Sequence, residues 1–567
     1  MITDPHCDDV VARATDWAEH DPDDDSARFV KDLVDTAHDD PAARGMLEQM
    51  FSGPLTFGTA GLRGEVGPGE HRMNRATVIK ATKGLVDWLT ARVANPVVVI
   101  GCDARHGSHA FAHDAAAVVA AAGGTAILLE EQLPTPVTAF AVRYLNADAG
   151  VMVTASHNPP ADNGYKVYLG GRIATGDGRG VQLISPADKE IQRAIAAAGP
   201  ADAIERDYSS VTRADVLEAY LARAGTLGEQ GPDKEAKNNL RLVLTPMHGV
   251  GGRTAVAALA RAGYHDVHLV GAQAYPDPDF PTVSFPNPEE PGALDLAVAA
   301  AEKVAADVII ALDPDADRCA VAIPVPDAHT GDTAWTQLSG DETGALLGDW
   351  VLSHTTGGGC ASSLVSSRWL AAIAKGHGRG HTQTLTGFKW IARSPGIVFG
   401  YEEAIGFCCD PEFVRDKDGV CTAVTVANYA ATLKQRGAGL VDELNRLRDD
   451  YGFYQTRPLT FRVTDLSLID RTLDRLLDNP PTRLAGSQVV HTHDLSTGYN
   501  GLPPTTGLVL FTADNDRVII RPSGTEPKLK CYLEVVIGND QPRPGAAAQR
   551  RLERIAGDLT AAIGLGH

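Results

Sequence analysis

The residues able to do chemistry sit in five loops. Ser156 lies in 153-VTASHNPPADNGYK-166, directly after an apolar run and among small, polar neighbours. Its hydroxyl is expected to be exposed and ringed by backbone amides, as suits a nucleophile, or else to cap a helix turn. Consecutive side chains are expected to diverge, which disfavours a Ser–His–acid triad through His157. Lys166 returns toward the same place, as a proton-transfer group or as an ordinary solvated lysine. In 313-DPDADR-318 the carboxylates of Asp313, Asp315 and Asp317 alternate. On one side of a tight loop they would enclose a divalent cation, and hard oxygens suit Mg²⁺, Mn²⁺ or Ca²⁺. An EF-hand is excluded, because its sixth and twelfth positions would be Arg318 and Pro324. The competing reading is an acidic turn without metal, although three packed carboxylates repel unless neutralised. Arg318 follows directly and could hold a phosphate beside the ion.

Three further loops fit an anionic sugar. In 521-RPSGTEPK-528, Arg521 offers a two-pronged guanidinium, Ser523 and Thr525 offer hydroxyls, Gly524 permits close backbone approach, and Lys528 closes the loop. A surface turn is the alternative, and the phosphate loop G-x-x-x-x-G-K-[ST] is absent. In 400-GYEEAIGF-407, Glu402 and Glu403 are acceptors for vicinal sugar hydroxyls, or a solvated pair. Arg63 stands in 57-FGTAGLRG-64, which lacks the spacing of a dinucleotide fingerprint.

Elements that would position these loops repeat one grammar three times: strand, alanine-rich helix, strand, helix, strand, polar loop. The first copy has strands at 97–101, 125–130 and 150–155, with helices around 109–122 and 136–145. The second has strands at 241–246, 266–271 and 307–313, with helices around 253–262 and 293–305. The third has helix 343–353, strands 361–367 and 396–403, and helices around 368–375 and beyond 419. Such alternation predicts parallel or mixed sheets covered on both faces, with ligands beyond the strand ends. From about 456 the character changes: antiparallel strands 508–512, 517–522 and 529–537, then a helix around 547–562, predict a smaller α+β domain. Expected domains are 1–228 with an N-terminal helical extension, 240–334, 335–452 and 456–567. The polar stretch 229–239 reads as a linker, and 324–333 as a linker or long hairpin loop.

The chain of 567 residues carries a formal charge of −21, which repels nucleic acid and anionic membrane. Neither is an expected partner. The eight cysteines include no C-x-x-C, so reduced thiols are the expectation. The start, Met1-Ile2-Thr3-Asp4, lacks a basic region followed by an apolar core, and no apolar run reaches membrane length; a cytoplasmic location follows as an expectation.

Taken in this order, the loops resemble those of the α-D-phosphohexomutase superfamily of phosphoglucomutases and phosphomannomutases, from about residue 50 to 535. The resemblance implies three like α/β domains with mixed sheets and a smaller fourth, around a central cleft. It implies that Ser156 in 154-TASHNP-159 carries a phosphoryl group and, so modified, joins Asp313, Asp315 and Asp317 around one Mg²⁺. Glu403 would grip sugar hydroxyls. Arg521, Ser523, Gly524 and Thr525 would bind phosphate, Arg63 and Lys166 would serve proton transfer and charge stabilisation, and Gly387 and Lys389 in 385-LTGFKWI-391 would orient substrate. Hexose mutases commonly have a serine two residues after the glutamate; here it is Ile405. That residue, the proline in D-P-D-A-D-R and 415-RDKDGV-420 resemble the subgroup of phosphopentomutases and bisphosphosugar synthases.

The implied activity is interconversion of hexose 1- and 6-phosphates through a bisphosphosugar, which also serves as activator, in a monomer or homodimer. A phosphopentomutase is the alternative. A phosphatase would hydrolyse the same phosphoserine with water, and a sugar-phosphate sensor would have no use for a metal beside a nucleophile.

Overall fold

The computed structural model describes residues 5–326, 333–463, 465, 467–523, 527–538 and 544–565, with side chains from residue 9. The chain forms two compact units, one of Met1–Gln337 with Gly406–Arg436, the other of Leu338–Ile405 with Gly437–His567.

The first unit holds two mixed sheets of one design. In the larger, Val97–Cys102 lies parallel between Thr125–Leu128 and Ala149–Val153, and Ala149–Val153 then pairs antiparallel with the returning Asp162–Leu169. In the smaller, Leu242–Thr245 lies parallel between Val267–Leu269 and Val308–Leu312, and Val308–Leu312 pairs antiparallel with Cys319–Pro326. Continuous runs such as VVVIGC and VIIAL are buried on both faces by flanking helices, the pattern a covered parallel sheet demands. In both sheets the polar loop of the repeated grammar is therefore the turn of a hairpin. Three N-terminal helices, Pro5–Glu19, Asp24–Thr36 and Pro41–Met50, pack on one another through Val10, Ala14, Val30, Leu47 and Phe51.

In the second unit, Gly359–Ser363 runs parallel between His381–Thr384 and Ile397–Glu402. The helix Gly340–His354 beside it starts with a reciprocal cap between Ser339 and Glu342. A second sheet is antiparallel throughout, in the order Phe453–Arg462, Lys528–Ile537, Arg517–Pro522, Leu508–Thr512, Ser487–Asp494, Arg483–Leu484. Its core gathers Phe461, Leu508, Val518, Leu529 and Leu533 with Leu552 and Leu559 of the helix Pro544–Ile563.

Of the two stretches expected as linkers, one is partly helical and the other takes its hairpin alternative. Residues 229–239 contain the helix Lys234–Asn238, capped by Asp233. Residues 324–326 and 333 belong to paired antiparallel strands, so the hairpin reading holds there, with 327–332 outside the described residues.

Candidate active site

The hairpin turn at Ser156 is built to hold an unfavourable backbone. Ser156 has φ +53, the left-handed region that L-residues avoid. Its amide donates to the Thr154 hydroxyl at 2.9 Å. Arg105, which the sequence reading missed, spends its guanidinium on carbonyls of this turn: Ser156 at 2.7 Å, Asn158 at 2.5 Å, Pro159 at 2.7 Å and Asp162 at 3.0 Å. Asp103 fixes Arg105 in turn, accepting from its amide at 3.0 Å and from the Ser108 hydroxyl at 2.6 Å. Lys166 lies in a strand rather than a loop, paired with Met152. Its charge and the polar start Asp162-Asn163-Gly164 hid the strand, in which Tyr165, Val167 and Tyr168 are buried.

The second hairpin turn brings the aspartates to the serine. Asp313, Asp315 and Asp317 are buried, with one carboxylate oxygen of each within 4.8 Å of the others. Their loop is seated by amides of Val250 and Gly419, donating to the carbonyls of Pro314 at 2.8 Å and Ala316 at 3.1 Å. Position 419 must be glycine for this approach, since a Cβ there would lie 2.5 Å from the Arg318 carbonyl. Ser156 Oγ donates to Asp313 Oδ2 at 2.9 Å. Thr135 donates its hydroxyl to Asp315 Oδ2 at 2.6 Å. Lys166 Nζ bridges Asp315 Oδ2 at 2.7 Å and Asp317 Oδ2 at 2.9 Å, and Lys417 Nζ reaches Asp317 Oδ2 at 3.1 Å. Arg318 donates its amide to Asp313 Oδ1 at 3.0 Å, and its Nε lies 3.8 Å from Asp317 Oδ1.

Charge balance in this cluster is uneven. Burial, then Asp315 and Asp317, hold the Asp313 carboxyl well above the usual carboxylate range. Burial opposes ionisation of Asp315 and Asp317 as well, but Lys166 overcomes it and both sit below that range, with Lys417 adding to the effect on Asp317. For Lys166 burial alone would lower the pKa, yet the two carboxylates carry it above the normal lysine value. Buried oxygens Asp315 Oδ1 and Asp317 Oδ1 accept no hydrogen bond. Unsatisfied carboxylate oxygens in a dry, acid-rich turn fit a hard divalent cation.

Arg63 and His157 complete the cluster. Arg63 sits in Leu62–Glu65 opposite Gly164, with Nη1 at 3.5 Å from Asn158 Oδ1 and a buried Nε that makes no hydrogen bond. The expectation that Ser156 and His157 diverge fails, for Ser156 Oγ lies 3.3 Å from His157 Nδ1. Extended backbone would send the two to opposite sides, but the left-handed φ at Ser156 removes that alternation. Burial, then Arg318 and Arg63, lowers the His157 pKa far enough to keep the ring neutral at physiological pH. The serine hydroxyl nonetheless donates to Asp313, so the arrangement is not a hydrolase triad.

The second unit gathers the remaining predicted residues. Glu403 Oε2 accepts from the hydroxyls of Ser363 at 3.0 Å and Ser366 at 3.1 Å. Burial, with Glu402 and Asp341 adding repulsion, raises its pKa to about 7. Gly340 makes room for this loop, because a Cβ there would stand 1.9 Å from the Glu403 carbonyl. Ser366 is in turn locked to the antiparallel sheet: Arg517 donates to its carbonyl at 2.6 Å, and Glu534 accepts from the Ser367 hydroxyl at 2.8 Å. Gly387, at φ +100, starts the short helix Phe388–Ile391 that carries half-exposed Lys389. Arg521 Nη1 donates to the Thr386 hydroxyl beside it, and Arg521 Nε is buried without a hydrogen bond. The Ser523 amide donates to the Lys528 carbonyl at 2.8 Å, closing the loop. Gly524 and Thr525 lie outside the described residues. Tyr532, another residue missed, has its pKa raised by burial and by Glu403 and lowered by Arg521, so its phenol senses both groups.

The first set, Ser156, His157, Lys166, Arg63, Asp313, Asp315, Asp317 and Arg318, meets within one unit, whereas Glu402, Glu403, Gly387, Lys389, Arg521, Ser523 and Lys528 all lie in the other. Of the missed residues, Lys417 had a signal in the charge-dense 415-RDKDG-419 before a helix. Arg105 had none, since its partners are about fifty residues distant.

Family models for phosphoglucomutase/phosphomannomutase match along the chain: alpha/beta/alpha domain I at residues 54–201, domain II at 218–325, domain III at 339–447 and the C-terminal domain at 473–541. A Haemophilus influenzae protein named "Probable phosphomannomutase" is 44% identical, over 82% of this chain and 93% of that one. The "Phosphopentomutase" of Homo sapiens is 34% identical, over 91% of this chain and 90% of its own length. Among solved structures, the Paramecium phosphoglucomutase pp63/parafusin superposes with a TM-score of 0.69 at 18% identity, over 92% of this chain and 97% of that one.

Proposed function

The chain belongs to the phosphoglucomutase/phosphomannomutase family, and from that premise we propose that it interconverts hexose 1- and 6-phosphates of glucose or mannose through a phosphoserine at Ser156 and a bisphosphosugar intermediate. It is a phosphomutase, hence an isomerase. Three α/β domains and a C-terminal domain make up the fold. We assign them the ranges 1–228, 240–334, 335–452 and 456–567, and place the enzyme in the cytoplasm. No helix among the described residues is long and apolar enough to cross a membrane.

The observation that carries the reading is Ser156 Oγ at 2.9 Å from Asp313 Oδ2, beside carboxylate oxygens that lack partners. A nucleophile so placed has a use for a cation and little for a general base. Asp313, Asp315, Asp317 and phosphorylated Ser156 would hold one Mg²⁺, which supplies charge neutralisation to the transferring group. Phosphoserine carries a charge of about −2 near neutral pH. Lys166, Arg318 and Arg63 surround that position with fixed positive charge, as a loose phosphoryl-transfer transition state requires.

In the first half-reaction the Ser156 Oγ–P bond breaks as the sugar hydroxyl forms a new O–P bond. Of Lys166, Arg63 and His157, the groups assigned to proton transfer and charge stabilisation, the neutral His157 ring has the lone pair to take the hydroxyl proton, while Lys166, held protonated beside Asp315 and Asp317, and Arg63 stabilise charge. The bisphosphosugar then turns end for end, and the reverse transfer restores phospho-Ser156. Arg521, Ser523, Gly524, Thr525 and Lys528 are assigned to the phosphate that is not transferring. Glu402 and Glu403 are assigned to the hydroxyls, and Gly387 with Lys389 to substrate orientation.

Ile405 favours a second reading, with (deoxy)ribose 1- and 5-phosphates as substrates. It is buried and apolar at φ +51, where hexose mutases of this family commonly place a serine hydroxyl. A panel of glucose, mannose, ribose and deoxyribose 1-phosphates, each primed with its bisphosphate, decides the matter. Higher kcat/KM for the hexoses is expected. Preference for pentoses would move the assignment to phosphopentomutase, and release of inorganic phosphate without isomerisation would overturn the mutase mechanism.

A further inference from the structure

Away from the serine cluster, the helix Ser108–Ala121 carries His109 and His113 four residues apart, and so on one face. Glu131, in the loop after Thr125–Leu128, reaches across to both: Oε2 lies 2.9 Å from His109 Nδ1, and Oε1 lies 3.3 Å from His113 Nε2. The two rings stand with centroids 4.3 Å apart at 36°, and one donor atom from each of the three residues lies within 4.8 Å of the others. Ligands about 2.1 Å from a tetrahedral ion are spaced roughly 3.4 Å from one another, and the two imidazole–carboxylate separations here, 2.9 Å and 3.3 Å, lie near that value. Neighbouring Glu130 is engaged by Arg253 at 2.6 Å and stands apart from this set.

We propose that His109, His113 and Glu131 form a second metal site, selective for a borderline transition-metal ion such as Zn²⁺ or Ni²⁺ and separate in chemistry from the aspartate loop. Two imidazoles and one carboxylate suit such ions, whereas an all-carboxylate set suits Mg²⁺. His109 is two-thirds exposed, which leaves the remaining coordination positions to water. Through its ligands the ion joins a helix and a loop already tied to the serine cluster. Ser108, adjacent to His109, holds Asp103 and through it Arg105. Thr135, four residues after Glu131, holds Asp315. An ion here therefore stiffens both supports, and the first effect to look for is stabilisation.

The test is calorimetric titration of ZnCl₂ and NiCl₂ into full-length enzyme kept in millimolar Mg²⁺, with thermal unfolding in parallel. One equivalent is expected to bind and to raise Tm. His113→Ala and Glu131→Gln are each expected to weaken binding roughly 100-fold and to abolish the Tm rise, with Mg²⁺-supported mutase activity unchanged. In Co²⁺-loaded enzyme, visible d–d absorption is expected that His109→Gln removes. Unchanged affinity in these variants, or displacement of Zn²⁺ by Mg²⁺ with affinity lost in Asp315→Asn instead, would overturn the proposal. So would the absence of any binding in the wild type.

Discussion

The serine–aspartate turns of the first unit and the glutamate loop of the second are built on opposite principles. Around Ser156 the polar groups are buried and mostly charged, three aspartates, two lysines and an arginine clamp, with Asp315 Oδ1 and Asp317 Oδ1 left without a hydrogen bond. Around Glu403 the partners are neutral hydroxyls from Ser363 and Ser366, and the carboxylate itself titrates near neutrality. The first arrangement has fixed dipoles and charges in a dry setting, as phosphoryl transfer requires. The second has groups that exchange hydrogen-bond partners at little cost, which suits recognition of hydroxyls. Changes in the first region should therefore act on kcat and changes in the second on KM.

The largest effect is expected from Ser156→Ala. Mutase turnover should fall by roughly 10³-fold or more, with an unchanged circular-dichroism spectrum, since the proposed carrier of the phosphoryl group is lost. Near-wild-type turnover would remove the basis for assigning chemistry to this region at all. Next is Lys166→Met, which leaves Asp315 and Asp317 buried with less countercharge. Breaking a buried pair costs about 3–5 kcal/mol, so a clear fall in Tm is expected together with loss of turnover. Added Mg²⁺ should restore more Tm in this variant than in the wild type, because a cation relieves the same repulsion. Equal Mg²⁺ responses would mean that the aspartates do not hold the ion.

Much of this contrast was legible in the sequence, for a physical reason. Chemistry-bearing loops are local: S-H-N-P, D-P-D-A-D-R and the glutamate pair declare themselves within a few residues. Runs such as 97–101 and 307–313 gave the covered parallel strands because both faces are buried. What stayed hidden depends on contacts distant in sequence. Arg105 is an unremarkable arginine until the chain returns 51 residues later with the Ser156 carbonyl. Residues 162–166 of the strand Asp162–Leu169 read as loop because Lys166 is among them, a charge tolerated beside aspartates 149 and 151 residues away. The Ser156–His157 contact was missed because local spacing assumes ordinary backbone, and a φ of +53 is set by the clamp around it.

Arg521→Ala should sharpen the other half of the comparison. Its guanidinium shares the neighbourhood of Thr386 and Tyr532 without a carboxylate of its own among the hydrogen bonds described. It is assigned to a phosphate, so KM for sugar phosphates should rise by about tenfold to a hundredfold while kcat changes less, in line with loss of a charge-assisted pair. A fall in kcat at constant KM would place Arg521 with the chemistry instead, and the division between the two regions would fail.

The smallest and most specific effect concerns pH. Glu403 has its pKa raised to about 7, by burial first and then by Glu402 and Asp341. Below that value it is protonated in the folded enzyme and is a weaker acceptor; above it the carboxylate would accept fully from the sugar hydroxyls assigned to it. KM should therefore fall as pH rises through about 7, by a few-fold, since one hydrogen bond to a charged group is at stake. Stability runs the other way. The folded pKa lies above the unfolded value of 4.5, so the folded state holds the proton between the two, and this group's contribution is greatest at low pH and declines until pH passes 7. In Glu403→Gln both trends should flatten, with KM elevated at every pH and Tm less sensitive between pH 5 and 7. If the variant keeps the wild-type pH profile of KM, the titrating group is elsewhere, and the neutral-hydroxyl character assigned to this loop loses its one charged exception.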